Sequence, residues 1–162
     1  MTQQSKDLQR MKESFFKLNK DITDFLHSIK YYDYDDLSYL IEDPFSLDPE
    51  ERLLYNTFRK AAESLEDFRY QIEPLTWEPE KPEKLHKTES GRYMTSRKCY
   101  TSGYSIEYLC EAEDYPHGED ELKPVKQWER SSIEHNGEDY YIVKRPGLPL
   151  EGLTIRERRG TV

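Results

Sequence analysis

Apolar residues recur through the first part of the chain at Leu8, Met11, Phe15, Leu18, Ile22, Phe25 and Ile29. The steps alternate between three and four, which keeps one stripe on one side of a helix. Lys12, Glu13, Lys17, Lys20, Asp21 and Asp24 occupy positions between them and suit water. The spacing predicts a long amphipathic helix from about Ser5 to Lys30. A second stripe follows at Leu54, Phe58, Ala61, Leu65, Phe68 and Ile72. Asp48-Pro49-Glu50-Glu51 marks its start, with an N-cap acid, proline at the first helical position and a glutamate three residues after the cap. Acids there also suit the positive end of the helix dipole, and Pro74 stops the helix.

Between the stripes, Tyr31-Tyr32-Asp33-Tyr34-Asp35-Asp36 reads as an acidic, aromatic turn. Asp35 or Asp36 is expected to cap a short helix through Leu37, Leu40 and Ile41, ended by Pro44. Two long helices with matching stripes predict an antiparallel αα-hairpin, with the short helix crossing between them. The same heptad spacing also fits a coiled-coil or four-helix dimer, so the chain is expected as a monomer or a homodimer through the helical seam.

Trp77 to Lys87 is rich in proline and charge, and reads as an extended spacer. The period then changes from helical to two-residue alternation. Gly91-Arg92-Tyr93-Met94, Lys98-Cys99-Tyr100 and Ser105 to Cys110 read as strands, with a turn at Thr101-Ser102-Gly103. Glu111 to Glu121 reads as an acidic loop, and Pro124 to Glu134 as a further strand. Asn136-Gly137 predicts a type I′ turn into Tyr140-Tyr141-Ile142-Val143, placing Ile133 opposite Tyr140 and Glu134 opposite Asp139. Leu153 to Arg156 closes the set, before a loose tail at Gly160-Thr161-Val162. The expected fold is α+β: a helical hairpin over 1–76, a linker over 77–87, and a small, strongly curved antiparallel sheet or SH3-like barrel over 88–159.

Composition adds that this is an aromatic-cored chain. Hydrophobic and charged residues are each 35% of 162, but 13 Tyr, 6 Phe and 2 Trp place large areas on few side chains. The formal charge of −9 disfavours generic attraction to nucleic-acid phosphates. No apolar run approaches the ~20 residues of a membrane span. The opening residues lack a secretory apolar core, so a reducing cytoplasm is expected, with Cys99 and Cys110 packed as small hydrophobes.

An ordered series of residues carries a resemblance. It comprises Gly91-Arg92-Tyr93, Tyr100-Thr101-Ser102-Gly103, Ile106-Glu107, Trp128, Ile133-Glu134, Asp139 to Val143, Leu150-Glu151-Gly152-Leu153 and Arg156. It resembles a small bacterial domain of unknown function common in proteins of integrative elements, plasmids and phages. Leu40-Ile41-Glu42-Asp43-Pro44 and Glu51 to Phe68 look like the helical segment that precedes that domain. The acidic stretch Glu111 to Glu121 departs from the pattern. The resemblance implies an accessory protein of a mobile element and supplies no catalytic residues.

The residues themselves offer no reactive constellation. His27, His86, His117 and His135 are scattered, two cysteines without spaced histidines make no zinc site, and no glycine loop cradles phosphate. Neither cofactor nor metal is expected, and an enzyme is not. Glu107, Glu111, Glu113, Asp114, Glu119, Asp120 and Glu121 accumulate without an intervening base, and form the candidate surface for a basic protein partner. The first expectation is a non-enzymatic interaction protein, an anti-defence inhibitor of the anti-CRISPR type binding a host nuclease. The alternative is a nucleic-acid-binding accessory factor using Trp128, Tyr140, Lys144, Arg145, Arg156 and Arg158.

Overall fold

The computed structural model describes residues 2–35, 37–114, 118 and 120–160. They form two compact units, a helical one up to Trp77 and a β one from Glu78 onward.

In the helical unit, α1 spans Gln3–Ser28 and α2 spans Pro49–Ile72. α2 starts as its sequence dictates. Asp48 accepts from the Glu51 amide at 2.8 Å and Glu51 accepts from the Asp48 amide at 3.0 Å, a closed capping box with Pro49 in the first turn. Pro74 falls in a short 3₁₀ turn, Glu73–Thr76, that takes over from the helix. α1 ends in a Schellman-type turn: the Tyr31 amide donates to the Leu26 carbonyl at 2.8 Å, and Lys30 sits at φ 53°.

The short helix expected near Leu37 is a single 3₁₀ turn, Ser38–Leu40, entered through Leu37 at φ 60°. Asp35 accepts from the Leu37 amide rather than capping a helix, and Asp36 lies outside the described residues. Pro44 does not simply terminate that turn; it begins another, Pro44–Ser46, capped by Asp43.

The hairpin forms, through faces that overlap the predicted stripes only in part. α1 turns Asn19, Ile22 and Leu26 inward, and α2 turns Ala62 and Glu66 inward. Ile29 shares this cluster with Tyr55, and Phe15 stacks on Phe68 at 5.9 Å, an antiparallel arrangement. The packed faces share Ile22, Ile29, Leu65 and Phe68 with the stripes but shift toward Asn19, Leu26, Ala62 and Glu66 beside them, a rotation of less than one residue step. Leu8, Met11, Phe15, Leu18, Phe25, Leu54 and Phe58 therefore remain exposed. The connection explains the rotation. Tyr31 and Leu37 fold back and are buried with Ile22, Leu26 and Ala62, while Tyr34 stacks on Tyr70 at 5.4 Å and donates to Asp67 at 2.7 Å. The connecting segment fills the core that the second stripe was expected to fill.

The β unit holds β1 (Glu78–Pro79), β2 (Glu83–Lys84), β3 (His86–Lys87), β4 (Tyr93–Met94) and β5 (Cys99–Tyr100). The longer β6 (Ser105–Asp114) and β7 (Lys123–His135) follow, then β8 (Tyr140–Ile142), β9 (Thr154–Arg156) and β10 (Arg158–Arg159). A five-stranded sheet of order β2-β9-β6-β7-β8 curls into a half-barrel; β3-β4-β5 form a second sheet and β1-β10 a pair. Every pairing is antiparallel, so the α+β expectation holds. Leu85, Tyr93, Tyr100, Ile106, Tyr108, Cys110, Ile133, Ile142, Leu150 and Ile155 make its core.

Three expectations change here. The stretch read as a linker, 77–87, is not a spacer: it supplies β1, β2 and β3, and Leu85 is fully buried. Its charges are paired rather than merely solvated, with Arg97 held between Glu80 and Glu83. The prolines fit because they lie in or beside two-residue strands that need few ladder donors. Second, Glu111 to Asp114 are not loop but the end of β6. Third, the Asn136 turn is four residues long, so Ile133 faces Ile142, Glu134 faces Tyr141 and His135 faces Tyr140. Asn136 Oδ1 accepts from the Glu138 and Asp139 amides at 2.9 and 3.0 Å, which closes a wider turn than a two-residue link. The two-residue slip preserves the alternation, and both Ile133 and Ile142 stay buried.

Candidate functional site

β6 and β7 outrun the sheet they belong to. β9 pairs with β6 only at Glu107 and Tyr108, and β8 pairs with β7 only from Ile133 to His135. Leu109–Asp114 and Lys123–Trp128 pair with each other alone among the described residues, forming a two-stranded arm with open edges.

Glu111, Glu113 and Asp114 are exposed on the β6 strand of this arm, Asp120 and Glu121 are exposed just before β7, and Glu119 lies outside the described residues. The arm is not uniformly acidic, however. Lys126 stands opposite Glu111 and Lys123 opposite Asp114, neighbours that linear order hides.

Glu107 does not belong to that surface. It is buried at the root of the arm, where Arg158 Nε donates to it at 2.6 Å and Arg156 Nε donates to its other oxygen. Burial pushes the Glu107 carboxyl up, but the two arginines outweigh it and hold the group below the usual carboxylate range. Arg156 also lies over the Trp128 ring, 4.1 Å from its centroid.

Glu129 anchors the opposite face of the same root, directly across from Tyr108. Arg145 donates through Nη2 at 2.7 Å and Nε at 3.0 Å, Tyr108 through its hydroxyl at 2.5 Å, and Gln127 through Nε2 at 2.8 Å. The Arg145 and Tyr108 bonds hold the Glu129 carboxyl far below its ordinary range. Burial and the Glu129 carboxylate push the Tyr108 hydroxyl up, so it stays a donor. Arg145 Nη1 also reaches the Glu111 carbonyl at 3.3 Å, tying this cluster to the first part of the arm.

The basic and aromatic candidates are thus engaged by neighbouring side chains, although Lys144 stays exposed. Arg156 and Arg158 share Glu107, Arg145 holds Glu129, and Lys144 approaches Glu129 at 3.9 Å. One face of Trp128 is covered by Arg156, and Tyr140 meets Tyr93 and His135 edge-on. Tyr93, Tyr100 and Tyr108 are core residues. No open aromatic platform assembles from them.

Glu129 itself escaped the reading from sequence, although a signal existed. It alternates onto the face of Ile133, and an acid on the core face of a strand requires partners. Among the described residues, no three His, Cys, Asp or Glu side chains converge as metal ligands. No described helix is long and apolar enough to cross a membrane.

Residues 83–157 match the family model described as a domain of unknown function, DUF5348. The β unit thus carries a small domain of unknown function. The match takes in the root carboxylates Glu107 and Glu129 and the arm, and leaves out β1 and β10. No curated protein matches the chain, and neither does any solved structure.

Proposed function

We propose that the chain is a non-enzymatic interaction protein of a mobile element or phage that binds a basic protein surface through the acidic arm. An anti-defence inhibitor of the anti-CRISPR type, directed at a host nuclease, is the specific form of this reading. The observation that carries it is the arm's build: exposed acids on a two-stranded ribbon whose root is braced on both faces by arginine-clamped carboxylates. A braced ribbon presents charge without a large ordering cost on binding. Carboxylates spaced along it have the sign of a phosphate backbone and suit a channel evolved for nucleic acid. Lys123 and Lys126 add a pattern that a partner's own acids can read. The mobile-element setting rests on the resemblance carried by Gly91 to Arg156.

Mixing the chain with RNA-guided and other defence nucleases, followed by size exclusion, tests the reading. A complex that weakens with salt is expected, and Glu111→Lys, Glu113→Lys and Glu121→Lys together abolish it. Failure to associate with any nuclease, or association indifferent to the triple change, refutes it. A salt-dependent mobility shift with single-stranded DNA or RNA would favour a nucleic-acid accessory role instead.

A further inference from the structure

The two sides of the helical hairpin are treated unequally. One side is covered by the connection, through Tyr31, Tyr34 and Leu37. In an antiparallel pair, rotating both helices part-way off their stripes turns the uncovered parts of both stripes to the same side of the layer. That second side carries Leu8, Met11, Phe15, Leu18, Phe25, Leu54 and Phe58, each between 41 and 60% exposed. The Phe15–Phe68 stack joins the α1 and α2 stripes into one face. No charged residue stands within either stripe.

We infer that this face is the interface between two copies of the chain, packed as a four-helix bundle. The stripes keep heptad spacing over most of both helices, the period that lets side chains of facing helices interlock. Together the seven residues leave on the order of 700 Å² of side chain exposed, close to the ~800 Å² each partner gives to a stable complex. A monomer seldom leaves so large a continuous apolar area in water. The edges of the face set the arrangement. Asp7, Ser14 and Asp21 flank the α1 stripe, whereas Thr57, Ser64 and Gln71 flank the α2 stripe. Placing α1 beside the partner's α1 would align two acidic rows, so each α1 lies beside the partner's α2, where hydroxyls and an amide meet the acids.

Sedimentation equilibrium of the full chain, run across concentrations, tests this. A species of twice the 19.5 kDa chain mass is expected. Phe58→Glu and Leu8→Lys each alter a side chain that points outward, and each should yield the monomer while the helical circular dichroism is kept. Lys17→Glu, off the face, should leave the dimer intact. A unmodified chain that stays monomeric at hundreds of micromolar overturns the inference. So does a dimer that survives both Phe58→Glu and Leu8→Lys, which would place the contact elsewhere.

Discussion

Arg145 grips both oxygens of Glu129, and its third nitrogen reaches the Glu111 carbonyl. One side chain from the segment after β8 thereby fixes a buried carboxylate and the first part of the arm together. Replacing it strands a charge: Arg145→Met leaves Glu129 with Tyr108 and Gln127 as its close donors. A loss of stability is expected, because the buried Glu129 carboxylate keeps its desolvation cost with fewer donors to offset it. Urea denaturation measures it. Faster amide exchange along Leu109 to Asp114 should accompany the loss.

Glu107 and Glu129 also set the acid limb of stability. Burial opposes ionisation of Glu107, but Arg158 and Arg156 prevail; at Glu129 the Arg145 and Tyr108 bonds dominate. Both carboxyls bind protons less readily in the fold than in the unfolded chain. Their contribution is complete above the ordinary carboxylate range and is lost as pH falls through and below it, so unfolding free energy should decline between about pH 5 and pH 3. Denaturation midpoints across that window check it, and Glu107→Gln with Glu129→Gln should flatten the slope.

Lys30 holds a left-handed conformation where α1 ends, at φ 53°. An L side chain pays for that geometry and glycine does not. Lys30→Gly should stabilise the helical unit by about 0.5–1 kcal/mol after the greater entropy of glycine in the unfolded chain is set against the relief. Thermal unfolding followed at 222 nm, a helix-reporting wavelength, would show a higher midpoint; a lower one would mean the lysine is not strained.

Asn136 closes the β7–β8 turn by accepting from two amides. Asn136→Ala removes the one oxygen that accepts from both amides, at an exposed site where water substitutes in part, so a loss of about 1 kcal/mol is expected. Asn136→Asp retains the acceptor oxygen and should recover most of it. Equal effects of the two changes would show that the side chain does not shape the turn.

How far the sequence speaks depends on whether its signals are local. The Asp48 capping box, the two helices and the strand alternation from Ser105 to Cys110 are written within a few neighbouring residues, and all appear. The direction in which each helix faces is not local. It depends on Tyr31 and Leu37, residues outside both stripes, returning to the core. β1 and β2 were hidden because their partners, β10 and β9, lie far along the chain, whereas β3 pairs with the nearby β4. At the candidate site, the exposed acids were legible as a run. Their lysine neighbours on β7, and the inward turn of Glu107, Arg156 and Arg158, emerge only when strands pair.

The pairing of β1 with β10 sets Glu78 beside Arg159 and Pro79 beside Arg158. Entry to the β unit and exit from it are therefore adjacent and run in opposite directions. A module of that build can be spliced into a surface loop of an unrelated host without prying the host's own elements apart. Cutting it at the limits of the family match would remove this clasp, and Arg158 with it, leaving Glu107 with Arg156 as its remaining close counterion.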